Sequence, residues 1–153
     1  MDNRSNCQCP CGQAQFSVQA RPLLRAFCHC TICQAFNQAS YADVTLFRTK
    51  DVTMPSAGLV EYRTYRPPPA IERGVCSSCQ RPALEVMSIF PMPKLVIVPS
   101  ANIRSPELVA DPSLHIFYNH RVDDVDDDLP KFNGYLRSQL AFGHRLIKSL
   151  LRA

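Results

Sequence analysis

Eight cysteines in three short groups constrain this 153-residue chain more than any other feature. They are Cys7-Gln8-Cys9-Pro10-Cys11-Gly12, Cys28-His29-Cys30-Thr31-Ile32-Cys33 and Cys76-Ser77-Ser78-Cys79. Sulfurs two residues apart are poorly placed to bridge to each other. No secretory signal or bilayer-length apolar run is visible, so the expected compartment is the reducing cytoplasm. There, clustered cysteines serve as metal ligands rather than disulfides. A disulfide-rich secreted domain is the lesser alternative.

The groups divide unequally. Cys9 and Cys11, followed by Gly12, together with Cys76 and Cys79 some 65 residues later, make four ligands. That is the number of a closed, structural zinc. Gly12 can take the positive φ that turns backbone amides toward bound sulfur. A cation held this way clasps two distant parts of the chain. Cys28, Cys30 and Cys33 make only three ligands, which leaves a coordination position for water or substrate. Cys7 is then a spare thiol near a mobile terminus. If Cys28 to Cys30 is extended, its two sulfurs share a face and His29 points to the other side.

Thirteen prolines argue against long helices through most of the chain. Strands are expected at 13–19, 23–28, 41–47, 59–65, 83–90, 95–98 and 115–119, with a short helical turn at 32–39 carrying Cys33. Turn signals at Ser56-Ala57-Gly58, Pro67-Pro68-Pro69, Pro91-Met92-Pro93 and Asp111-Pro112-Ser113 separate them. The fold class is mainly β, a sandwich or half-barrel. Residues 122–129 hold five aspartates, read as a solvated loop. After Pro130 an amphipathic basic helix is expected. Leu136, Leu140, Ile147 and Leu151 form its docking face, either on the domain or on a second copy, and contact with anionic lipid or nucleic acid is the alternative. Seven thiolates around two Zn²⁺ bring the formal +4 charge to about +1, so the charge balance says little about partners.

In this order, the cysteine motifs resemble those of the glutathione-dependent formaldehyde-activating (GFA) family, which includes centromere protein V. The resemblance rests on Cys9-Pro10-Cys11-Gly12, Cys28-His29-Cys30-Thr31-Ile32-Cys33 and Arg73-Gly74-Val75-Cys76-Ser77-Ser78-Cys79, supported by His115-Ile116-Phe117 and Asp128-Leu129-Pro130-Lys131-Phe132. It implies a zinc-bound, tent-like β domain over residues 5–135, with 136–153 as a helical extension of that domain. It also implies a structural zinc on Cys9, Cys11, Cys76 and Cys79 and a catalytic zinc on Cys28, Cys30 and Cys33. The implied activity is addition of the glutathione thiol to formaldehyde, giving S-hydroxymethylglutathione, a carbon–sulfur lyase reaction. Two departures stand out. Gln80 replaces the family's glycine after the last cysteine, and Gln34 to Tyr41 replace a basic, Ser-Gly-containing stretch beside the three-cysteine site.

Three thiolates around Zn²⁺ leave a net charge of about −1, which suits holding a substrate thiol as a nucleophilic thiolate. Glutathione carries two carboxylates, so Arg73, Arg48 and Arg121 are candidate cations, with His115 and Tyr118 lining the pocket. The partners expected are a glutathione-like thiol and a small aldehyde, with a homo-oligomer through the C-terminal helix possible and nucleic acid not expected. The competing class is a zinc-stabilised binding module, in which Cys7 or His29 completes the second site. Its nucleic-acid form has only a faint basis in Tyr62-Arg63-Thr64-Tyr65-Arg66. A redox role for Cys76-x-x-Cys79 lacks the βαβ context such motifs need.

Overall fold

The computed structural model describes residues 5–65 and 71–152. The triple-proline turn signal and Arg66 lie outside the described residues. In chain order the elements are β1 (Ser5–Gln8), β2 (Gln15–Val18), β3 (Leu24–Cys28), α1 (Thr31–Asn37), β4 (Ala42–Arg48), β5 (Val52–Thr53), β6 (Val60–Arg63), β7 (Ile71–Cys76), β8 (Pro82–Met87), β9 (Leu95–Pro99), β10 (His115–Ile116) and α2 (Tyr135–Arg152). The fold is mostly β with two helices. A three-stranded sheet runs β1-β2-β5, and an open seven-stranded sheet runs β10-β3-β4-β9-β8-β7-β6. Every pairing is antiparallel except that of β10 with β3.

Strands β4 and β9 lie at the centre of the large sheet and are apolar on both faces. Phe47, Val96 and Val98 enter one core, joined by Phe16, Val18 and Val52 from the small sheet. Leu46, Leu95 and Ile97 enter the other, where Leu146 of α2 packs. The layers are therefore small sheet, large sheet and helix, and period-2 alternation explains the division. Each core also contains one cysteine group: Cys9, Cys76 and Cys79 in the first, Cys28, Cys30 and Cys33 in the second.

Three strands escaped the sequence pattern. In β1, Ser5 and Cys7 face inward, so a hydroxyl and a thiol stand where the pattern expects aliphatics. Cys7 is accordingly not a thiol at a loose terminus but a buried core residue bridging to Ile103. Strand β7 carries Glu72, Arg73 and Gly74, which hide its apolar alternation. Its glycine is required, because a Cβ at Gly74 would lie 2.7 Å from both the Leu84 carbonyl oxygen and Val60 Cγ1. The register shifts between Gly74 and Val75, a bulge that re-aims the strand just before Cys76. The two-residue β5 is too short to leave a pattern. The strand expected at 115–119 stops at Ile116 and continues as a 3₁₀ turn over Tyr118–His120.

Helix α2 docks, but not by the face expected. Ser138 and Leu146 are buried, with Ala141, Phe142 and Leu150 partly so. The Ser138 hydroxyl accepts from the Phe117 amide at 2.8 Å and donates to the Phe132 carbonyl at 3.3 Å. Leu136, Leu140, Ile147 and Leu151 are instead 69%, 65%, 49% and 83% exposed. The reason is that α2 has two apolar lines at i, i+4 spacing, and periodicity cannot choose between them. A buried hydroxyl with two backbone partners does.

Candidate metal centres

The first centre joins the turn after β1 to the turn between β7 and β8. The Gly12 amide donates to the Cys9 carbonyl, and Gly12 takes φ +81° as its position requires. The sulfurs of Cys9, Cys11, Cys76 and Cys79 all lie within 4.8 Å of one another. Two of the separations are 3.4 Å (Cys9 to Cys11) and 3.7 Å (Cys11 to Cys76). A tetrahedral zinc with Zn–S near 2.3 Å sets its sulfurs about 3.8 Å apart, so the donor set fits that ion. All four thiols are free of disulfides. Burial pushes the Cys9 thiol up, but the Ala14 amide and the Cys11 and Cys76 thiols outweigh it and bring it down to about 6.

Gln80 sits in the left-handed region at φ +58°. That costs a non-glycine residue roughly 1–2 kcal/mol. Its amide donates to the Cys76 carbonyl at 2.9 Å, and its side-chain Nε2 donates to the Cys76 and Ser77 carbonyls. The side chain that replaces glycine thus helps to close the turn it strains.

The second centre is built at the junction of β3 and α1. Cys28 ends the strand, Cys30 is the N-cap of the helix, and Cys33 lies on its first turn. The Cys30 sulfur accepts from the Cys33 amide at 3.3 Å, so one atom both caps the helix and faces the cluster. The three sulfurs lie within 4.8 Å of one another, and among the described residues no other His, Cys, Asp or Glu joins them. Neither residue considered as a fourth ligand reaches this centre. Cys7 is in the opposite core, and His29 is turned away.

His29 belongs to a separate buried chain. Its Nε2 lies 2.8 Å from His115 Nδ1, His115 Nε2 lies 2.8 Å from Asp127 Oδ2, and Lys131 Nζ donates to Asp127 Oδ1 at 2.7 Å. In the tautomer where His115 Nε2 donates to Asp127, its Nδ1 accepts from His29 Nε2 and His29 Nδ1 keeps a lone pair. That atom is buried without a partner among the described residues. Burial, aided by His115, lowers the imidazole of His29 to about 4. Lys131, then His115, hold Asp127 down near 2. Tyr41 and Tyr118 pack around both imidazoles. Tyr118 also accepts through its hydroxyl from the Val125 amide. The aspartates of the run are exposed, as in a solvated loop they should be, except at Asp127, which His115 and Lys131 anchor.

Of the three arginines considered for substrate carboxylates, Arg121 is paired with Asp124 and Arg48 donates to the Leu150 carbonyl. Arg73 is buried on β7. Its Nη1 lies 3.0 Å from Glu85 and 3.8 Å from the Cys33 sulfur, and its guanidinium lies over Phe36. Glu85 went unremarked in the sequence. Its signal was a carboxylate at an inward position of an apolar strand, directly opposite Arg73 in the register. The pairing of Asp127, in the aspartate run, with Lys131, four residues on, is likewise not shown by either segment's pattern.

Burial raises Glu85 to about 7 against the opposing pull of Arg73. A carboxyl raised above its unfolded value favours the fold when protonated, so its contribution is lost as pH rises through the folded value. Arg73→Met removes the opposing charge and raises Glu85 further. The variant is expected to lose about 3 kcal/mol at pH 8, and distinctly less at pH 6 where Glu85 holds its proton. Urea denaturation at the two pH values checks this.

No protein of curated function is detectably similar to the chain in sequence. Among solved structures, a crystal structure of a Rhodobacter sphaeroides protein, a structural-genomics target, superposes with a TM-score of 0.53 at 16% identity. The match covers 70% of this chain and 96% of that one. It carries the fold and nothing more. The sequence itself matches the glutathione-dependent formaldehyde-activating enzyme family over residues 4–120, a span that holds both cysteine centres and His115 and Tyr118. The chain belongs to the glutathione-dependent formaldehyde-activating enzyme family.

Proposed function

We propose that this chain is a zinc enzyme that adds a thiol such as glutathione to formaldehyde or a related small aldehyde, in the carbon–sulfur lyase class. The observation that carries it is the three-sulfur cluster of Cys28, Cys30 and Cys33, drawn together within 4.8 Å while the adjacent His29 is held by His115. Cys9, Cys11, Cys76 and Cys79 would hold a second, structural zinc, giving two per chain. A zinc on three thiolates supplies a position where a substrate thiol is kept as a thiolate.

The reaction forms one S–C bond, opens the carbonyl π bond and moves one proton from sulfur to oxygen. Arg73, 3.8 Å from Cys33, sets a fixed positive charge against the thiolates. Its pairing with Glu85 makes it a positioning residue for the cluster rather than a clamp for substrate carboxylates. His115 and Tyr118 pack against His29, the residue between Cys28 and Cys30. Residues 5–135 would form the catalytic domain, with 136–153 an extension of it, and the cytoplasm supplies the glutathione.

Thiols add to formaldehyde unaided, so the test must measure rate rather than yield. Exchange NMR between formaldehyde hydrate and S-hydroxymethylglutathione should show faster interconversion with the protein, at two zinc per chain by elemental analysis. Unchanged exchange in fully metallated protein, with glutathione and with other small thiols, would remove the catalytic reading.

A further inference from the structure

The exposed stripe of α2 has no role in the chemistry proposed above. At 100° per residue, Leu136, Leu140, Ile147 and Leu151 fall within an arc of about 60°. The docking line Ser138–Phe142–Leu146 lies about 150° away round the helix. Four large aliphatic side chains therefore project away from the protein body. The flank beside them carries Arg137, His144, Lys148 and Arg152, and α2 contains no acidic residue. Arg137, Lys148 and Arg152 make no ion pair among the described residues.

Between this flank and the segment before the helix runs an open groove of about 600 Å³, lined by Lys131, Phe132, Arg137, Leu140, His144 and Arg145. Lys131 is already matched by Asp127. Arg137 and Arg145 make no ion pair among the described residues and remain to receive an anion.

We propose that α2 seats this protein on an anionic phospholipid surface, with the leucine stripe entering the acyl boundary and the cationic flank meeting the headgroup phosphates. The helix is not a span, since no described helix is long and apolar enough to cross a membrane. An apolar stripe bordered by cations and free of acids is the pattern of an interfacial helix. Nucleic acid would satisfy the cations but leave the stripe wet, and the stripe offers no aromatic for base stacking. A second copy fits less well. The antiparallel pairing that sets Leu136 on Leu151 and Leu140 on Ile147 places the two cationic flanks side by side.

The full-length, zinc-loaded protein should co-sediment with phosphatidylcholine vesicles containing 30% phosphatidylglycerol at least tenfold more than with pure phosphatidylcholine. Arg137→Gln with Lys148→Gln should weaken that binding on the order of 25-fold, at about fivefold per cation. Leu140→Ser with Ile147→Ser should reduce it to background. All four side chains are exposed, so circular dichroism and zinc content should be unchanged in both double variants. Equal or absent binding to the two vesicle types overturns the proposal. Binding that survives Leu140→Ser with Ile147→Ser does so too, because it would be bare charge attraction. A dimer in analytical ultracentrifugation that those serines disperse, without vesicle binding, would assign the stripe to a second copy and equally overturn it.

Discussion

Cys76→Ser is expected to leave the chain without a cooperative fold at 25 °C. Cys76 is fully buried at the end of β7, in the same core as Phe47, Leu84 and Val96. Its sulfur lies 3.7 Å from that of Cys11, which hangs on an exposed turn 65 residues away in sequence. The N-terminal turn joins β1 to β2, which belong to the small sheet and, among the described residues, pair with no strand of the large one. A structural zinc contributes on the order of 10–16 kcal/mol of apparent binding in small domains. Whole-domain stability is typically only 5–15 kcal/mol. The two magnitudes are comparable, so a clasp that no longer holds its metal removes most of what keeps the domain folded. Far-UV circular dichroism should lose its strand signal, thermal melts should become non-cooperative, and elemental analysis should show less than one zinc per chain. A chelator strong enough to strip the wild type should reproduce that state. If Cys76→Ser instead melts cooperatively within a few degrees of wild type, the four-sulfur clasp does not hold this fold together.

How much of this was legible beforehand depended on the kind of signal. The cysteine groups could be read directly, because residue type and spacing are properties of the sequence and the sheet only has to bring the sulfurs together. Gly12 could be read too, since the turn around sulfur demands positive φ; Gln80 could not, because a non-glycine there pointed to a differently turned knuckle, whereas it keeps the left-handed geometry. Strands β4 and β9 announced themselves as apolar runs. Strand β7 did not, because its inward position 73 is filled by an arginine whose partner lies on the next strand. Pairing across strands is invisible until the register is known. The same holds for His115, Asp127 and Lys131, which the fold assembles from a strand end and the loop after it. On α2 the pattern gave two candidate faces, and only Ser138, with its partners Phe117 and Phe132, distinguished the docked one.

Cys30→Ser separates the two centres. Cys30 is the half-buried member of its group, whereas Cys28 and Cys33 are buried in the second core, so it is the position where replacement disturbs packing least. It is also the N-cap of α1, its side chain accepting from the Cys33 amide. Serine is among the best N-cap residues, so the helix start survives the exchange of sulfur for oxygen. The expected cost in stability is therefore below about 1 kcal/mol from the cap itself. Two thiolates and a hydroxyl make a poor zinc site, because zinc in such centres is held by thiolate, imidazole or carboxylate donors. Zinc should fall from two per chain to one, and exchange between formaldehyde and its glutathione adduct should return to the uncatalysed rate. Cooperative melting and the strand signal should remain, in contrast to Cys76→Ser. Should Cys30→Ser keep two zinc and full exchange activity, the three-sulfur cluster would not be the reactive centre. If it unfolds as completely as Cys76→Ser, both clusters are structural, and the chain is better described as a zinc-stabilised binding domain than as a catalyst.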